Sequence, residues 1–158
     1  MTTKLAILTL LILIGLTSCK PDYEKIFEEN TQRFDRNRPV LNKAVVEIEK
    51  IYLKNWDKQK EFNLVLENLD KQTNVALKKL GIGSVEITHN PNGNCDKKYW
   101  ITFIVIDDWN IGSLRVVQLV YAPCDKSAIK DYHYYDGYHQ DFWGQGENWF
   151  IYSDTDFI

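Results

Sequence analysis

Two adjacent apolar runs constrain the fold of this chain most. Residues 99–106 and 114–121 are rich in aromatic and β-branched side chains and are apolar at nearly every position. A strand with one face in water would alternate apolar and polar residues, so these two strands are expected to be covered on both faces. Turn-forming residues lie between them. The sequence therefore predicts two neighbouring antiparallel strands at the centre of a sheet.

The first half of the chain carries helical periodicity instead. Apolar residues recur at three- and four-residue spacing from Leu41 to Tyr52 and again within 62–80, with charged residues between them. A shorter segment marked by Tyr23, Phe27 and Phe34 is expected to end before Pro39, because proline disfavours helix in the residue that precedes it. These patterns predict N-terminal helices with one apolar face.

The sequence does not decide whether residues 41–80 form one helix or two. Gly81 suits the left-handed conformation that ends many helices, so the pattern should stop there. Residues 41–80 form either one long rod or a hairpin that breaks near Asp57, which would cap the second helix. We favour the hairpin because single helices of that length are uncommon in globular domains.

The predicted fold class is α+β, with N-terminal helices packed on a four- or five-stranded antiparallel meander. Residues 84–89 alternate as a half-buried strand does, and 131–136 and 149–153 are further extended segments. The chain is long enough for a single domain, which we place at 25–158. In the order of its elements, and in that respect alone, it is similar to cystatin-like folds.

The extreme N-terminus has the pattern of an export signal. One positive charge, Lys4, precedes the uncharged apolar segment 5–16. As a helix this segment would reach only about 18 Å, well short of the roughly 30 Å hydrocarbon core of a bilayer. The segment is therefore expected to be cleaved rather than to span the membrane.

The residues after the apolar segment carry a second signal. Leu16-Thr17-Ser18-Cys19 resembles the lipobox of bacterial lipoproteins, in which the final cysteine receives the lipid. The resemblance implies a cleaved signal peptide at 1–18, a diacylglycerol on Cys19 and a short lipidated tether at 19–24. In the lipoproteins that this segment resembles, the residues just after the cysteine are linked to membrane sorting, and on that resemblance the absence of Asp at position 20 favours the outer membrane. Two or three acyl chains would hold the protein stably in the membrane of the cell envelope.

The two other cysteines suit an oxidising compartment. Cys95 precedes the first central apolar run and Cys124 follows the second, so the two are expected at the same end of two antiparallel neighbours. A disulfide between them would stabilise the fold by roughly 3.5 kcal/mol in the chain-entropy description. Two free thiols or a two-ligand metal site are the alternatives.

The C-terminal segment is acidic and aromatic. Residues 131–158 contain six acidic side chains, ten aromatic ones and no Lys or Arg. In one interpretation, half of the rings complete the core and the acids solvate edge strands. In the other, the segment is a recognition surface, because tyrosine and tryptophan are enriched at binding hot spots and a single-sign field attracts a cationic partner.

We identify candidate partner-binding residues on the second interpretation. The segment 140–148 contains Gly144 and Gly146 and is predicted to be a flexible loop that presents two tryptophans. The candidates are Tyr135, Asp136, Tyr138, Asp141, Trp143 and Trp149.

A metal site is a weaker hypothesis for the same segment. His133, His139 and Asp141 offer imidazole and carboxylate groups that suit a divalent ion. Their spacing matches no strong metal-binding signature, and ordinary surface histidines explain them equally well.

The sequence lacks the motifs of several other functions. There is no nucleophile elbow, no zinc-protease motif and no phosphate-binding glycine loop, so neither an enzyme nor a cofactor is indicated. An acidic exported body does not favour nucleic acid as a partner. The sequence is most consistent with a non-enzymatic lipoprotein that binds a protein partner, for example an inhibitor or immunity protein acting on a basic toxin or hydrolase. A glycan-binding module of the envelope is the alternative.

The lipid anchor is directly testable. We expect the protein isolated from its native host to begin at Cys19 and to carry a diacylglycerol thioether, because the lipobox directs lipidation before cleavage. Intact-mass spectrometry of the membrane fraction measures both features. An intact leader without acyl chains would contradict the prediction.

Overall fold

A thirty-residue helix, α1 (Tyr23–Tyr52), opens the part of the chain that the structure describes. The computed structural model describes residues 23–52, 62–64, 66–90, 99–106, 116–135 and 140–154. The predicted signal peptide and the lipidation site Cys19 lie outside these ranges.

α1 continues through Pro39, so the prediction that a helix ends before this proline was wrong. An interior proline costs about 3 kcal/mol, because it lacks an N–H and crowds the preceding turn. Phe34 and Leu41, on the two sides of Pro39, are both fully buried in one core. Each such burial contributes about 1.5–3 kcal/mol. The packing of both halves on the same sheet therefore offsets the local penalty.

The second predicted helix is much shorter than its apolar pattern. After the gap at 53–61, Phe62–Leu64 forms a strand and Leu66–Asn68 a single 3₁₀ turn. The second helix, α2 (Lys71–Lys79), begins only after Asp70, whose carboxylate accepts hydrogen bonds from the N–H groups of Gln72 (2.9 Å) and Thr73 (3.4 Å). The single long rod is thereby excluded. Asp57, the cap expected for the hairpin, lies outside the described residues, and the observed cap is Asp70.

α2 ends where the sequence predicts. Gly81 has a φ of 78° and its N–H donates to the carbonyl of Lys78 (3.0 Å). This left-handed conformation is unfavourable for side chains with a Cβ, so glycine ends the helix without strain.

Within the described residues, seven antiparallel strands form one sheet, rather than the four or five predicted. They are β1 (Phe62–Leu64), β2 (Ile82–His89), β3 (Tyr99–Val105), β4 (Val116–Tyr121), β5 (His133–Tyr135), β6 (Gln140–Gly146) and β7 (Trp149–Asp154). Their order in the sheet is β1-β2-β3-β4-β7-β6-β5. The α+β class is as predicted. Two of these strands were not predicted. The residues of β1 were assigned to the second helical pattern, and those of β6 to a loop.

The sheet consists of two meanders joined at β4 and β7. Strands β1 to β4 follow one another in space, and the chain then crosses to the far edge of the sheet and returns through β5 and β6. Residues 122–132, which connect β4 to β5 and are called the crossing segment below, contain a 3₁₀ turn at Lys126–Ala128. Because β7 pairs with β4 along six residues, the end of the chain completes the centre of the sheet.

The two faces of the sheet are covered to different extents. The face toward α1 and α2 carries the main core, which includes Val85, Phe103, Leu119 and Ile151. On the opposite face, the 3₁₀ turn covers a smaller cluster around Val120, Ala122 and Phe150. Trp100, Phe142 and Tyr152 pack beside this cluster and are only partly buried. The prediction that both faces are covered is therefore met fully on the helical side and partly on the other.

Asp125 fixes the start of the crossing segment. Its Oδ2 accepts hydrogen bonds from the side chains of Asn90 (3.1 Å) and Trp100 (3.2 Å), and its Oδ1 accepts one from the N–H of Ser127 (2.9 Å). Asn90 is almost fully buried, so these bonds satisfy polar groups that would otherwise be costly to bury. The ends of β2 and β3 are thus joined to the chain that leaves β4.

Cys124 is disulfide-bonded. The predicted partner, Cys95, lies outside the described residues. The register pairs Ile101 with Tyr121, so the chain before β3 and the chain after β4 are at the same end of the sheet. This placement is what a bond between Cys95 and Cys124 requires, and the pairing itself stays a prediction.

A buried phenol joins the C-terminal half of α1 to the sheet. The hydroxyl of Tyr99 on β3 donates a hydrogen bond to the carboxylate of Glu49 on α1. Burial raises the pKa of Tyr99 above its ordinary value, and the hydrogen bond to Glu49 raises it further. The folded protein therefore holds this proton more tightly than the unfolded chain does.

This difference in pKa predicts a loss of stability in alkali. Tyr99 contributes stability below about pH 10, where the unfolded chain also keeps the proton, and loses it as the pH rises above that value. Tyr99→Phe should therefore lower the free energy of unfolding at neutral pH and make it fall less steeply above about pH 10. Urea unfolding followed by circular dichroism across pH 8–11 measures both effects. Tyr134→Phe, which removes a phenol that is about half exposed, is the control and should change the free energy of unfolding less at neutral pH.

Candidate functional site

A cleft of about 1000 Å³ lies between the N-terminal half of α1 and the β5–β6 side of the sheet. One wall is formed by side chains of α1, namely Thr31, Asp35 and Arg38. The floor and the opposite wall come from residues 130–133, from Tyr135 and from strand β6 with the turn that follows it. The volume is at the upper end of the range typical of ligand pockets.

Glycines allow the wall of the cleft to pack closely. A Cβ placed on Gly144 would come within 1.8 Å of the carbonyl oxygen of Ile129, so no other residue fits there without moving the crossing segment. Gly146 has a φ of 75°, which suits glycine for conformational reasons. The prediction that these glycines make 140–148 a flexible loop was wrong. They allow β6 to pass beneath the crossing segment and enter a tight hairpin.

The hairpin between β6 and β7 turns on two residues. Glu147 and Asn148 have φ values of 53° and 70°, and Gly146 pairs with Trp149 across the turn. Two consecutive positive φ angles define the type I′ geometry, which matches the twist of the flanking strands. The register shift between Gly144 and Gly146 is a β-bulge beside this turn.

A second bulge leads the chain into β5. Asp131 has a φ of 64°, its N–H donates to the carbonyl of Gly144 (3.2 Å), and the N–H of Gly144 donates to the carbonyl of Tyr132 (2.7 Å). This is the bonding pattern of a bulge whose first residue is left-handed. The bulge determines which side chains of β5 face each side of the sheet. His133 and Tyr135 face the cleft, and Tyr134 packs against Phe142 on the other face.

The floor of the cleft is an aromatic platform beside a buried carboxylate. The rings of His133 and Trp143 are stacked, with centroids 5.7 Å apart and planes at 8°. Oδ1 of Asp141 lies 3.9 Å from Nε2 of His133, and the Asp141 side chain is only 8% exposed. Tyr135, the register partner of Asp141, is 52% exposed. Two flat rings and a carboxylate therefore converge on one region.

Arg38 closes one end of the cleft. Its guanidinium donates to Asp35 (2.7 Å) and to the carbonyl of Gln145 (2.9 Å), and it lies 3.4 Å from Glu147. It also lies over the ring of Phe34, 4.8 Å from the centroid. These contacts link α1 to the β6–β7 hairpin across the cleft. The positive charge of Arg38 is thus engaged by two carboxylates of the cleft itself.

Negative charge exceeds positive charge at the cleft. Asp35, Asp131, Asp141 and Glu147 are among its lining residues, whereas the lysine and arginine residues of the lining are Lys130 and Arg38. Salt bridges join Arg38 to Asp35 and Glu147, and Oδ1 of Asp141 lies 3.9 Å from Nε2 of His133. A concave surface with this balance favours a cationic guest.

The predicted partner-binding residues divide into three groups. Tyr135, Asp141 and Trp143 all line the cleft. Asp136 and Tyr138 lie outside the described residues. Trp149 was predicted wrongly, because it is fully buried in the main core.

Trp149 is the point at which α1 meets the sheet. Its ring packs against Phe34 (5.4 Å between centroids), Phe103 (5.7 Å) and Tyr121 (5.3 Å). Its Nε1 donates to Oδ1 of Asn42 on α1 (2.8 Å), which satisfies the indole N–H inside the core. A side chain held in this way contributes to stability and has no surface to offer a partner.

The candidate metal residues are only partly brought together. His133 and Asp141 are neighbours in the cleft, whereas His139 lies outside the described residues. Among the residues that the structure describes, no group of three or more His, Cys, Asp or Glu side chains has the arrangement of a metal site.

The α1 wall and the crossing segment were missed at the sequence level. Thr31, Asp35 and Arg38 belong to the polar side of a helix, and Lys130 belongs to an irregular segment far from it in the chain. No local pattern distinguishes them from ordinary surface residues. Their proximity to β5 depends on the way in which the crossing segment reaches the far edge of the sheet.

Comparisons with known proteins identify no relative. No protein-family model matches the chain, no curated protein matches its sequence, and no solved structure matches its fold. Within the described part of the chain, neither helix combines the length and the apolar character that crossing a membrane would require. The site must therefore be interpreted from its own geometry.

The two tryptophans of this region should respond differently to truncation. Trp149→Ala removes a buried ring from the core and should lower the free energy of unfolding by about 3–5 kcal/mol. Trp143→Ala is the matched control, since its ring is only partly buried at the floor of the cleft, and should cost less than about 2 kcal/mol. Urea unfolding monitored by circular dichroism compares them, and equal losses would contradict the placement of the two rings.

Proposed function

We propose that this protein is a non-enzymatic, lipid-anchored binding protein of the cell envelope whose cleft receives a basic segment of a protein partner. The observation that carries the proposal is the combination, in one concave site, of exposed aromatic rings with an excess of carboxylates. An inhibitor or immunity protein that engages a basic toxin or hydrolase is one concrete form of this function.

The charge of the cleft supports a cationic partner. Asp131 and Asp141 line the side formed by β5 and β6, and the C-terminal segment that supplies this side has no Lys or Arg. A lysine or arginine that enters the cleft would meet an excess of carboxylates, since four acidic residues line the cleft beside Lys130 and Arg38. The single-sign field would also speed the encounter with a basic protein, more strongly at low salt.

The aromatic rings support a protein as the partner. Tyrosine and tryptophan dominate the energetics of many protein interfaces, and the face of either ring binds a guanidinium or ammonium group. Tyr135 is exposed at the mouth of the cleft and Trp143 lies at its floor. An inserted cationic side chain could therefore stack on a ring and pair with a carboxylate together.

The lipid anchor would hold the cleft near a membrane surface. The α1 side of the cleft begins at Thr31, eight residues after the start of the helix at Tyr23, which is about 12 Å along the helix axis. Only a few residues separate that start from Cys19. A partner would therefore be met within a few nanometres of the bilayer, which suits a protein that intercepts others at the envelope.

Two adjacent tyrosines provide a matched test. Tyr135 faces the cleft and Tyr134 faces the opposite side of the sheet, and they are exposed to similar extents, 52% and 49%. We expect Tyr135→Ser to lose most of the partner that the wild-type protein captures from envelope extract, because a cleft ring is removed. Tyr134→Ser should retain clearly more of it, because the Tyr134 ring lies on the opposite face of the sheet. Quantitative mass spectrometry of the captured proteins, with salt elution to test for ionic binding, measures the difference.

The outcomes of this experiment separate the alternatives. Equal capture by both variants, or a loss confined to Tyr134→Ser, would contradict the cleft as the binding site. A neighbouring gene that encodes a basic effector would point to the immunity form of the function.

A glycan-binding function is the second candidate, and the stack of His133 on Trp143 favours it. A flat aromatic platform beside carboxylates is also the chemistry that binds sugar rings. Titration with cell-wall and polysaccharide fragments, monitored by tryptophan fluorescence, tests this alternative. A response that Trp143→Phe abolishes would favour the glycan, and no response across a broad panel would exclude it.

A further inference from the structure

The outer edge of the sheet at β5 forms part of the cleft. β5 is the last strand in the sheet order, and among the residues that the structure describes no strand pairs with its outer side. All three of its residues are exposed. Natural sheets protect their edges by keeping them short or by placing lysine or proline on them, and His133-Tyr134-Tyr135 is short but contains neither residue. This edge is therefore available for pairing with another chain.

The bulge at Asp131 determines which main-chain groups point outward. The N–H of Gly144 donates to the carbonyl of Tyr132, and Tyr134 pairs with Phe142 two residues further along. In an antiparallel ladder the hydrogen-bonded pairs alternate, so Tyr134 bonds to β6. The N–H and C=O groups of His133 and Tyr135 consequently point away from the sheet.

The side chains of the edge alternate between two different environments. His133 and Tyr135 face the cleft, where negative charge is in excess. Tyr134 faces the other side, where its ring contacts Phe142 (5.9 Å between centroids) and Phe142 contacts Tyr152 (4.8 Å). An eighth strand added at this edge would present alternate side chains to an acidic cleft and to a row of aromatic rings.

We propose that the partner binds by β-strand addition, in which an extended segment with basic residues alternating with apolar ones pairs with the outer edge of β5. This inference rests on the proposed function, because it specifies how the same cleft would engage a basic partner. The basic side chains extend over the cleft toward Asp131 and Asp141, and the apolar ones pack beside Tyr134. Main-chain hydrogen bonds supply affinity, and the alternation of the two environments supplies specificity.

The test uses the mature lipidated protein in detergent and a synthetic peptide. The probe is a blocked eight-residue peptide in which lysine alternates with valine. Two N-methylated versions carry the methyl groups either on the lysine nitrogens or on the valine nitrogens. Because alternate N–H groups of a strand point to opposite edges, only one of the two modifications blocks pairing with β5. We expect that version alone to bind about tenfold or more weakly, since at least two hydrogen bonds are lost.

Protein variants provide the complementary arm. Tyr135→Pro removes an outward N–H and Tyr135→Thr keeps it, while both remove the ring. We expect the proline variant to bind the peptide about tenfold more weakly than the threonine variant, with similar melting temperatures, because edge strands tolerate proline. Hydrogen exchange of the His133 and Tyr135 amides should slow when the peptide binds.

The possible failures are distinguishable. If both N-methylated peptides bind as well as the parent and the two amides exchange at unchanged rates, strand addition is wrong while binding of a basic segment in the cleft stands. If no version of the peptide binds but Tyr135→Ser still loses the envelope partner, strand addition is again wrong and the proposed function survives. If variants at Tyr135 still bind both the peptide and the envelope partner, strand addition and the proposed function are both contradicted. Concentration-dependent protection of these amides without peptide would show that a second copy of the chain occupies the edge, and would overturn the proposal.

Discussion

The burial of one side of α1 on the sheet is the interaction on which the rest of this structure depends. Trp149 marks its centre, since the ring packs against Phe34 of α1, Phe103 and Tyr121, and its indole N–H bonds to Asn42. Tyr99 and Glu49 hold the same helix farther along. This contact holds the helix in place on both sides of Pro39, and it also places Thr31, Asp35 and Arg38 at the cleft.

The cleft follows from that arrangement. Arg38 is one turn from Phe34, so once Phe34 is buried the guanidinium reaches the β6–β7 hairpin and bonds to Gln145. From the other side, Gly144 lets the crossing segment approach closely, and the left-handed Asp131 directs His133 and Tyr135 toward the helix. The site is thus built by a helix, a bulge and a hairpin that are far apart in the sequence. Together they form a concave acidic surface beside β5, the last strand of the sheet within the described residues.

Several errors of prediction share a physical cause. Residues 62–69 continue the helical apolar spacing, yet Leu64, Leu66 and Leu69 are buried from a short strand and a 3₁₀ turn, because a few apolar residues fit either period. Gly144 and Gly146 suggested flexibility, yet they permit close packing and a bulge. Trp143 and Trp149 each lie next to a phenylalanine in the same acidic segment, but one lies at the floor of the cleft and the other at the centre of the core.

The sequence by itself determined the α+β class, the positions of five strands, the left-handed end at Gly81 and the acidic, aromatic character of the C-terminal segment. These features depend on local periodicity, turn chemistry and composition, which a single chain displays directly. Only the tertiary structure decided that the last meander returns inward to pair β7 with β4, that β5 becomes the edge, and that Thr31, Asp35 and Arg38 face it. Strand order and helix placement depend on contacts between distant segments, and no local pattern in this sequence encodes which of its several apolar strands will be neighbours.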